Sequence, residues 1–353
     1  MLHRPSPFPH NCSAHGRALP RLLVLLALLL VLLLALGAYA WRVLHRPVAF
    51  APSVQGPRVT VEIPRGSSPA RMVTILQEAG VQVPSLSTRL WLRLHVGQLK
   101  AGYYQIPRGA SIEDMAKKLR EGEQTLLSLT IPEGWNLRQV RARIDALPWL
   151  RHDTLGLSDS ELAQKMGLPA DLPLEGQFAP DTYRYAPASS DLVFYTQAAA
   201  QMQKNLAAAW AQRSPSAQVR SPQEALILAS IVEKETGHGA DRAQIAGVFN
   251  NRLRIGMALQ TDPTVIYGMG AAYRGNIRKS DLQTDTPYNT YTRRGLPPGP
   301  IAMPGKAALW AAVQPAQTQA LYFVAKGDGS GHSQFSNTLD EHNRAVRQHI
   351  LKR

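Results

Sequence analysis

The hydrophobic pattern of this chain falls into distinct stretches. Leu22–Trp41 (LLVLLALLLVLLLALGAYAW) is twenty residues without a charge and almost wholly apolar. At 1.5 Å per residue it spans roughly 30 Å, the hydrocarbon thickness of a bilayer. Tyr39 and Trp41 stand at its far end, where aromatic rings favour the membrane interface. The stretch 47–58 (PVAFAPSVQGPR) reads as a linker. From residue 59 the pattern becomes short strands, each closed by Pro-x-Gly and followed by helical spacing. Val59–Ile63 precedes Pro64-Arg65-Gly66, Tyr103–Ile106 precedes Pro107-Arg108-Gly109, and Leu127–Ile131 precedes Pro132-Glu133-Gly134. Ten residues past the glycines lie Leu76, Leu119 and Ile144. Three strand–turn–helix units predict a small α+β module over 59–150. Ser67 ahead of Pro69, and Ser111 ahead of Glu113 and Asp114, are suitable helix starts.

Residues 150–222 read as mostly helical and polar, with one island, Leu174–Tyr183 (LEGQFAPDTY), an ordered loop carrying Glu175 and Asp181. A structural turn in which Asp181 caps a helix is the simpler reading of it. Ser221-Pro222-Gln223-Glu224 is a capping box with proline at the first helical position. The helix that follows is apolar on nearly all sides from Ala225 to Val232, which predicts burial. It runs into Glu233-Lys234-Glu235-Thr236, and Gly237 and Gly239 are expected to end it. Glu235 extends the face of Leu228 and Ile231, and Glu233 that of Leu226, Ala229 and Ser230. A carboxyl in the last turn meets the negative end of the helix dipole, and partial burial desolvates it. Both effects raise its pKa, as a general acid near neutral pH requires. An exposed Glu-Lys-Glu on a fraying helix end is the competing reading.

Composition narrows the function classes. The chain has 353 residues and a formal net charge of +14, but no Lys/Arg-rich run and no RNP-like aromatic motif, so nucleic acid is not an expected partner. Its one cysteine, Cys12, excludes an intrachain disulfide and a Cys-based metal site. Residues 1–50 carry Arg4, Arg17, Arg21, Arg42 and Arg46 and no acid. The apolar run is longer than the roughly 7–15 residues of a signal h-region, which favours an uncleaved anchor over a signal peptide cut after Ala38-Tyr39-Ala40. The longer basic segment places 1–21 in the cytoplasm and 42–353 outside it.

Ala243–Leu253 is a second amphipathic helix. Loops rich in Gln, Asp, Tyr and Asn follow: Leu259–Gly268 (LQTDPTVIYG), Pro287–Tyr291 (PYNTY) and Gly295–Ile301 (GLPPGPI). They suit a groove for a polar, ring-shaped ligand such as a sugar. Ala320–Lys326 reads as a strand. His332 and His342 lack a third ligand at metal spacing, so no metal or other cofactor is expected.

Taken in order, Ala229–Thr236 (ASIVEKET), Val248-Phe249-x-Asn251-Arg252-Leu253, Leu259–Tyr267, Tyr288–Tyr291, Gly295–Gly299 and Leu339–Asn343 (LDEHN) resemble the MltG (YceG-like) endolytic murein transglycosylases. The Glu175–Tyr183 island also resembles a family signature. The resemblance implies an α+β protein of the inner membrane with a cytoplasmic N-terminus. Its parts would be a tail (1–21), one transmembrane helix (22–41), a linker (42–58), a LysM-like module (59–150) and a mixed α/β periplasmic catalytic domain (151–353). It implies cleavage of nascent peptidoglycan strands between N-acetylmuramic acid and N-acetylglucosamine, without water. The ends would be 1,6-anhydro sugars, and cutting would terminate strand elongation. Peptidoglycan synthases are implied partners. The family's catalytic Glu falls on Glu235, at the end of the buried helix. Gln260, Asp262, Tyr288, Asn289 and Tyr291 would orient the sugar, with Glu175 and Asp181 in reserve. Gly237-His238-Gly239 departs from the family pattern just after Glu235. Two alternatives stay open: a membrane-anchored peptidoglycan-binding scaffold, and a hydrolytic muramidase with Glu175, Asp181 or Asp262 as second carboxylate.

Overall fold

The computed structural model describes residues 18–96, 100–147 and 149–351. Most of the expected cytoplasmic tail, with Cys12, lies outside them. The chain divides into two compact units at Leu126/Leu127.

In the first unit, α1 (Ala18–His45) continues past Trp41, and its side chains from Leu23 to Arg42 are exposed. The segment Leu23–His45, whose most apolar 18 residues have a mean hydropathy of 2.9, is long and apolar enough to cross a membrane. The next residues do not hang free as a linker. Val48 and Phe50 are buried, and β1 (Ala49–Phe50) pairs antiparallel with β3 (Val81–Gln82). β2 (Arg58–Ile63) and β4 (Gly102–Pro107) form a second antiparallel pair, Val59 opposite Ile106 and Val61 opposite Tyr104. Alternate residues of β2 are buried against α2 (Pro69–Glu78), with α3 (Ser85–His95) and α4 (Ile112–Glu121) completing the unit. Ser68 rather than Ser67 caps α2, accepting from Arg71 N, because the Ser67 hydroxyl turns back to Pro64 O. Ser111 and Asp114 make a reciprocal capping box on α4.

The third strand–turn–helix unit belongs to the second body. There β5 (Leu127–Ile131) precedes α5 (Leu137–Asp145) and α6 (Asp159–Lys165), and pairs antiparallel with β6 (Asp181–Tyr185). Gly66, Gly109 and Gly134 all hold left-handed φ (76°, 89° and 76°), so each Pro-x-Gly reverses the chain where a side chain would be strained. Asp181 opens β6 instead of capping a helix.

The core of the second unit is built around one helix. α7 (Asp191–Ala211), α8 (Pro222–Glu235), α9 (Arg242–Arg254), α10 (Asp262–Met269), α11 (Lys279–Gln283) and α12 (Lys306–Val313) follow in order. β7 (Tyr322–Ala325) and β8 (Ser333–Ser336) form an antiparallel hairpin before α13 (Leu339–His349). α8 packs against α7, α9 and α12 together, and every residue from Ala225 to Val232 is buried. Ser221 caps it through Glu224 N, but Glu224 reaches back to Arg220 N, so the box is only half formed. All strand pairs described are antiparallel and two-stranded, which makes the architecture α+β.

The packing of α9 depends on Gly247. A Cβ there would lie 2.7 Å from the Ala316 carbonyl oxygen and 2.8 Å from Thr318 Cγ2. That segment is held in place, since Ala316 N donates to Ala243 O. Gly247→Ala is therefore expected to lower stability by about 1–3 kcal/mol, read from the urea midpoint, despite its better helix propensity.

Candidate active site

α8 ends at Glu235, and Thr236 leaves it in an extended conformation (φ −149°). Neither Gly237 nor Gly239 adopts a left-handed cap; Gly239 instead opens a 3-10 turn to Asp241. The two glutamates of the terminal turn go to different places. Glu233 is half-buried, accepts from Gly305 N at 2.8 Å, and faces Arg242 at 3.6 Å. It ties α8 to the start of α12. Glu235 opens into a cavity of about 390 Å³ that it shares with Arg252, Gln260, Asp262, Tyr291, Tyr322 and His342.

The walls of this cavity are two loops zipped together. Gln260 N donates to Thr290 O at 3.1 Å and Thr261 N to Thr290 Oγ1 at 3.1 Å. Tyr291 OH donates to Asp262 Oδ1 at 2.6 Å. Gln260 holds φ +48°, a strained value for a residue with a side chain. Proline in the first turn starts α10 at Asp262, turning the expected loop into helix. From the third wall, Arg252 donates to Leu259 O at 2.6 Å and Leu321 O at 2.7 Å, with its guanidinium 5.2 Å from the Tyr322 ring centre.

Thr261 Oγ1 donates to Glu235 Oε1, and Glu235 lines the cavity. Burial pushes the Glu235 carboxyl above its ordinary pKa. Asp262 adds to the rise, while the Thr261 hydrogen bond and Arg252 oppose it. The structure thus places a carboxyl of raised pKa beside an open cavity.

A larger cavity of about 890 Å³ is lined by Glu175, Lys234, Pro263, Tyr267 and Tyr288, among others. Lys234 and Pro263 line it, whereas their chain neighbours Glu235 and Asp262 line the smaller one. Tyr267 and Tyr288 present rings 4.8 Å apart. Glu175 is buried and accepts from Leu137 N, at the start of α5, and from Tyr267 OH at 3.1 Å. Desolvation outweighs these donors and raises its carboxyl to about 7.

Of the residues singled out from sequence, Gln260, Asp262 and Tyr291 gather around Glu235, and Tyr288 and Glu175 around the larger cavity. Asn289 is fully buried, with its carboxamide bonded to neighbouring backbone. Asp181 is exposed on β6 and lines neither cavity. Sequence reasoning misses Thr261, Arg252 and Tyr322 here, and considers His342 only as a metal ligand. The first two and His342 lie inside recognisable motifs, but their contacts to Glu235's surroundings are long-range. His332 does have company, in His238 and Asp241, and not in His342.

Glu175 makes stability pH-dependent in a defined direction. Its folded pKa lies above that of an unfolded Glu, so the native state binds more protons between about 4.5 and 7. Its contribution is fully present below the unfolded pKa and lost as pH rises through about 7. The loss is on the order of 3 kcal/mol. Urea denaturation at pH 5 and pH 8 should show it, and Glu175→Gln should flatten the difference; equal slopes in both proteins would refute the assignment.

Residues 61–348 match the profile of the YceG-like family. The endolytic murein transglycosylase of Bacillus subtilis (strain 168) is 32% identical over 309 residues, covering 83% of this chain and 85% of that protein. That of Streptococcus pneumoniae serotype 2 (strain D39) is 31% identical over 325 residues, and this chain spans 58% of its length. A crystal structure of a yceG-like protein from Listeria monocytogenes superimposes with a TM-score of 0.53 at 32% identity, covering 82% of this chain and 98% of that one.

Proposed function

This chain belongs to the YceG-like family, and from that premise we propose that it is an endolytic murein transglycosylase with Glu235 as its single acid/base. The observation that carries the reading is Glu235 itself, a carboxyl whose pKa burial raises, at the end of a buried helix and opening into a polar cavity, with its neighbour Lys234 lining a larger one. A glycan strand lying across both would bring a glycosidic oxygen to Glu235.

Glu235 gives its proton to that oxygen as the bond breaks toward an oxocarbenium-like state. The carboxylate so formed then takes the proton of the sugar's own C6 hydroxyl as that oxygen closes on C1. The proton balance returns Glu235 to its starting form, and the new end is a 1,6-anhydro sugar. The bond cut is the one between N-acetylmuramic acid and N-acetylglucosamine. The rings of Tyr267 and Tyr288 offer stacking faces to neighbouring sugars, and Gln260 and Tyr291 polar contacts at the reacting one.

α1 would anchor the protein once in the inner membrane, with residues 1–21 in the cytoplasm and the second unit in the periplasm. The first unit would act as a LysM-like module toward glycan strands, and strand termination would occur beside peptidoglycan synthases.

One observation favours hydrolysis as a second reading: Asp262 lines the same cavity as Glu235 and is a candidate for activating water. Digestion of nascent-type glycan strands by the full chain in detergent, followed by mass spectrometry, separates the two. Internal fragments with anhydro ends support the transglycosylase. Water-added reducing ends would move the assignment to a muramidase, and no cleavage at all would leave a scaffold.

A further inference from the structure

Two glycine-rich segments meet just beyond Glu235. One is the turn Gly237–Asp241 that follows α8, and the other is the loop from Gly327 to His332 between β7 and β8. Where they meet, His238, Asp241 and His332 each bring one ligating atom within 4.8 Å of the others. Nδ1 of His332 lies 3.0 Å from Asp241 Oδ1, and Nδ1 of His238 lies 3.9 Å from the same oxygen. The two imidazole centres are 3.8 Å apart. Asp241 is buried, and its other oxygen accepts from Ser333 N, so the carboxylate is held from behind with Oδ1 turned to both rings.

An Asp–His hydrogen bond accounts for Asp241 and His332 alone. It does not account for His238, whose Nδ1 is shielded from solvent and has no hydrogen-bond partner. A shielded, unpaired polar atom costs about 1–3 kcal/mol, and a cation would supply its partner.

We propose that His238, Asp241 and His332 form a binding site for a divalent cation of the zinc class, which clamps the turn after Glu235 to the β7–β8 loop. The donor set is the reason for that class. Two imidazoles and one carboxylate suit zinc, whereas magnesium and calcium select all-oxygen ligands. Bonds of about 2.0–2.1 Å in tetrahedral geometry put ligand atoms roughly 3.3 Å apart. The separations of 3.0 and 3.9 Å bracket that value. Both imidazoles are partly exposed, which leaves the fourth position to water. A ring nitrogen carries a proton or a metal, not both. The ion therefore replaces the hydrogen between His332 Nδ1 and Asp241 Oδ1, and that ring keeps its proton on Nε2. His238 N donates to Thr236 Oγ1, so the backbone between Glu235 and the first ligand is already stiff. Occupancy would pass that stiffness to the end of α8, making the site structural or regulatory and not part of glycan chemistry. It does not depend on which reaction Glu235 performs.

The test is equilibrium dialysis of the detergent-solubilised full chain against zinc, with bound metal measured by mass spectrometry. His3, His10, Cys12 and His15 could bind zinc by themselves, so the background carries His3→Ala, His10→Ala, Cys12→Ser and His15→Ala. One zinc per chain at micromolar free zinc is expected. His238→Ala and His332→Ala should each weaken binding at least about tenfold. His238→Ala removes no side-chain hydrogen bond and takes away a shielded, unpaired nitrogen, so its zinc-free melting temperature should be no lower than the parent's, which excludes misfolding. Zinc should also slow amide exchange over residues 236–241 in the parent and not in His238→Ala. No stoichiometric zinc, zinc retained equally by His238→Ala, or equal uptake of magnesium would overturn the site. Bound zinc without protection of 236–241 would overturn the clamp.

Discussion

Glu235→Gln is expected to lower the rate of glycan cleavage at least about a thousandfold while leaving the fold intact. General acid–base catalysis is worth roughly 10²–10⁴-fold, and here one carboxyl serves as the acid in bond breaking and the base in ring closure. Glutamine keeps the shape and can still accept from Thr261 Oγ1, so the loss reports the missing proton and not a collapsed site. Glu233→Gln is the matched control, two residues away on the same helix. Its carboxylate serves Gly305 N and Arg242, so the expected effect is a lower melting temperature with product ends unchanged. The measurement is the yield of anhydro ends per enzyme over time. A Glu235→Gln protein retaining a tenth of wild-type turnover, or a Glu233→Gln protein that folds normally but is inactive, would remove Glu235 from the central role.

Asn289→Ala is expected to lower stability by about 3 kcal/mol, a loss that separates positioning from substrate contact. Asn289 is fully buried. Its amide nitrogen donates to Thr284 O at 2.7 Å and approaches Leu282 O at 3.1 Å and Asp281 O at 3.3 Å. Its oxygen accepts from Tyr291 N at 2.8 Å. Alanine would leave these partly buried backbone groups without their partner, and a group left unpaired out of water costs about 1–3 kcal/mol. The same loop carries Thr290 and Tyr291, which hold Gln260, Thr261 and Asp262 in place, so turnover should fall as well. Asn289→Asp should be destabilised too, since it keeps the acceptor and loses the donor. If Asn289 touched the sugar instead, Asn289→Ala would raise KM with the urea midpoint unchanged, and that result would refute the positioning role.

Local signals were read well where they act over a few residues. The all-round apolar stretch Ala225–Val232 predicted a buried helix, and α8 is buried throughout that stretch. The Pro-x-Gly turns are left-handed glycines in all three units, and Ser111 caps α4 as its spacing with Asp114 suggests. Failures came at the next scale. Spacing points to Ser67 as a cap where Ser68 is the one, and Gly237 and Gly239 look like helix ends although Thr236 turns the chain first. β5 continues the repeat in sequence yet pairs with β6, some fifty residues later, because strand pairing is a long-range contact that a repeat does not encode.

By itself, the sequence determined the apolar segment, the repeat, the buried helix and the presence of two carboxyls at its end. Tertiary structure decided which of those carboxyls faces a cavity. Glu233 and Glu235 are about 200° apart around the helix, so different neighbours meet them. Gly305 N and Arg242 occupy Glu233, whereas Glu235 accepts from Thr261 and lines the cavity walled by the paired loops. Burial, hydrogen bonding and the resulting proton affinity depend on groups brought from 26 and 72 positions away, and periodicity along one helix carries no record of them.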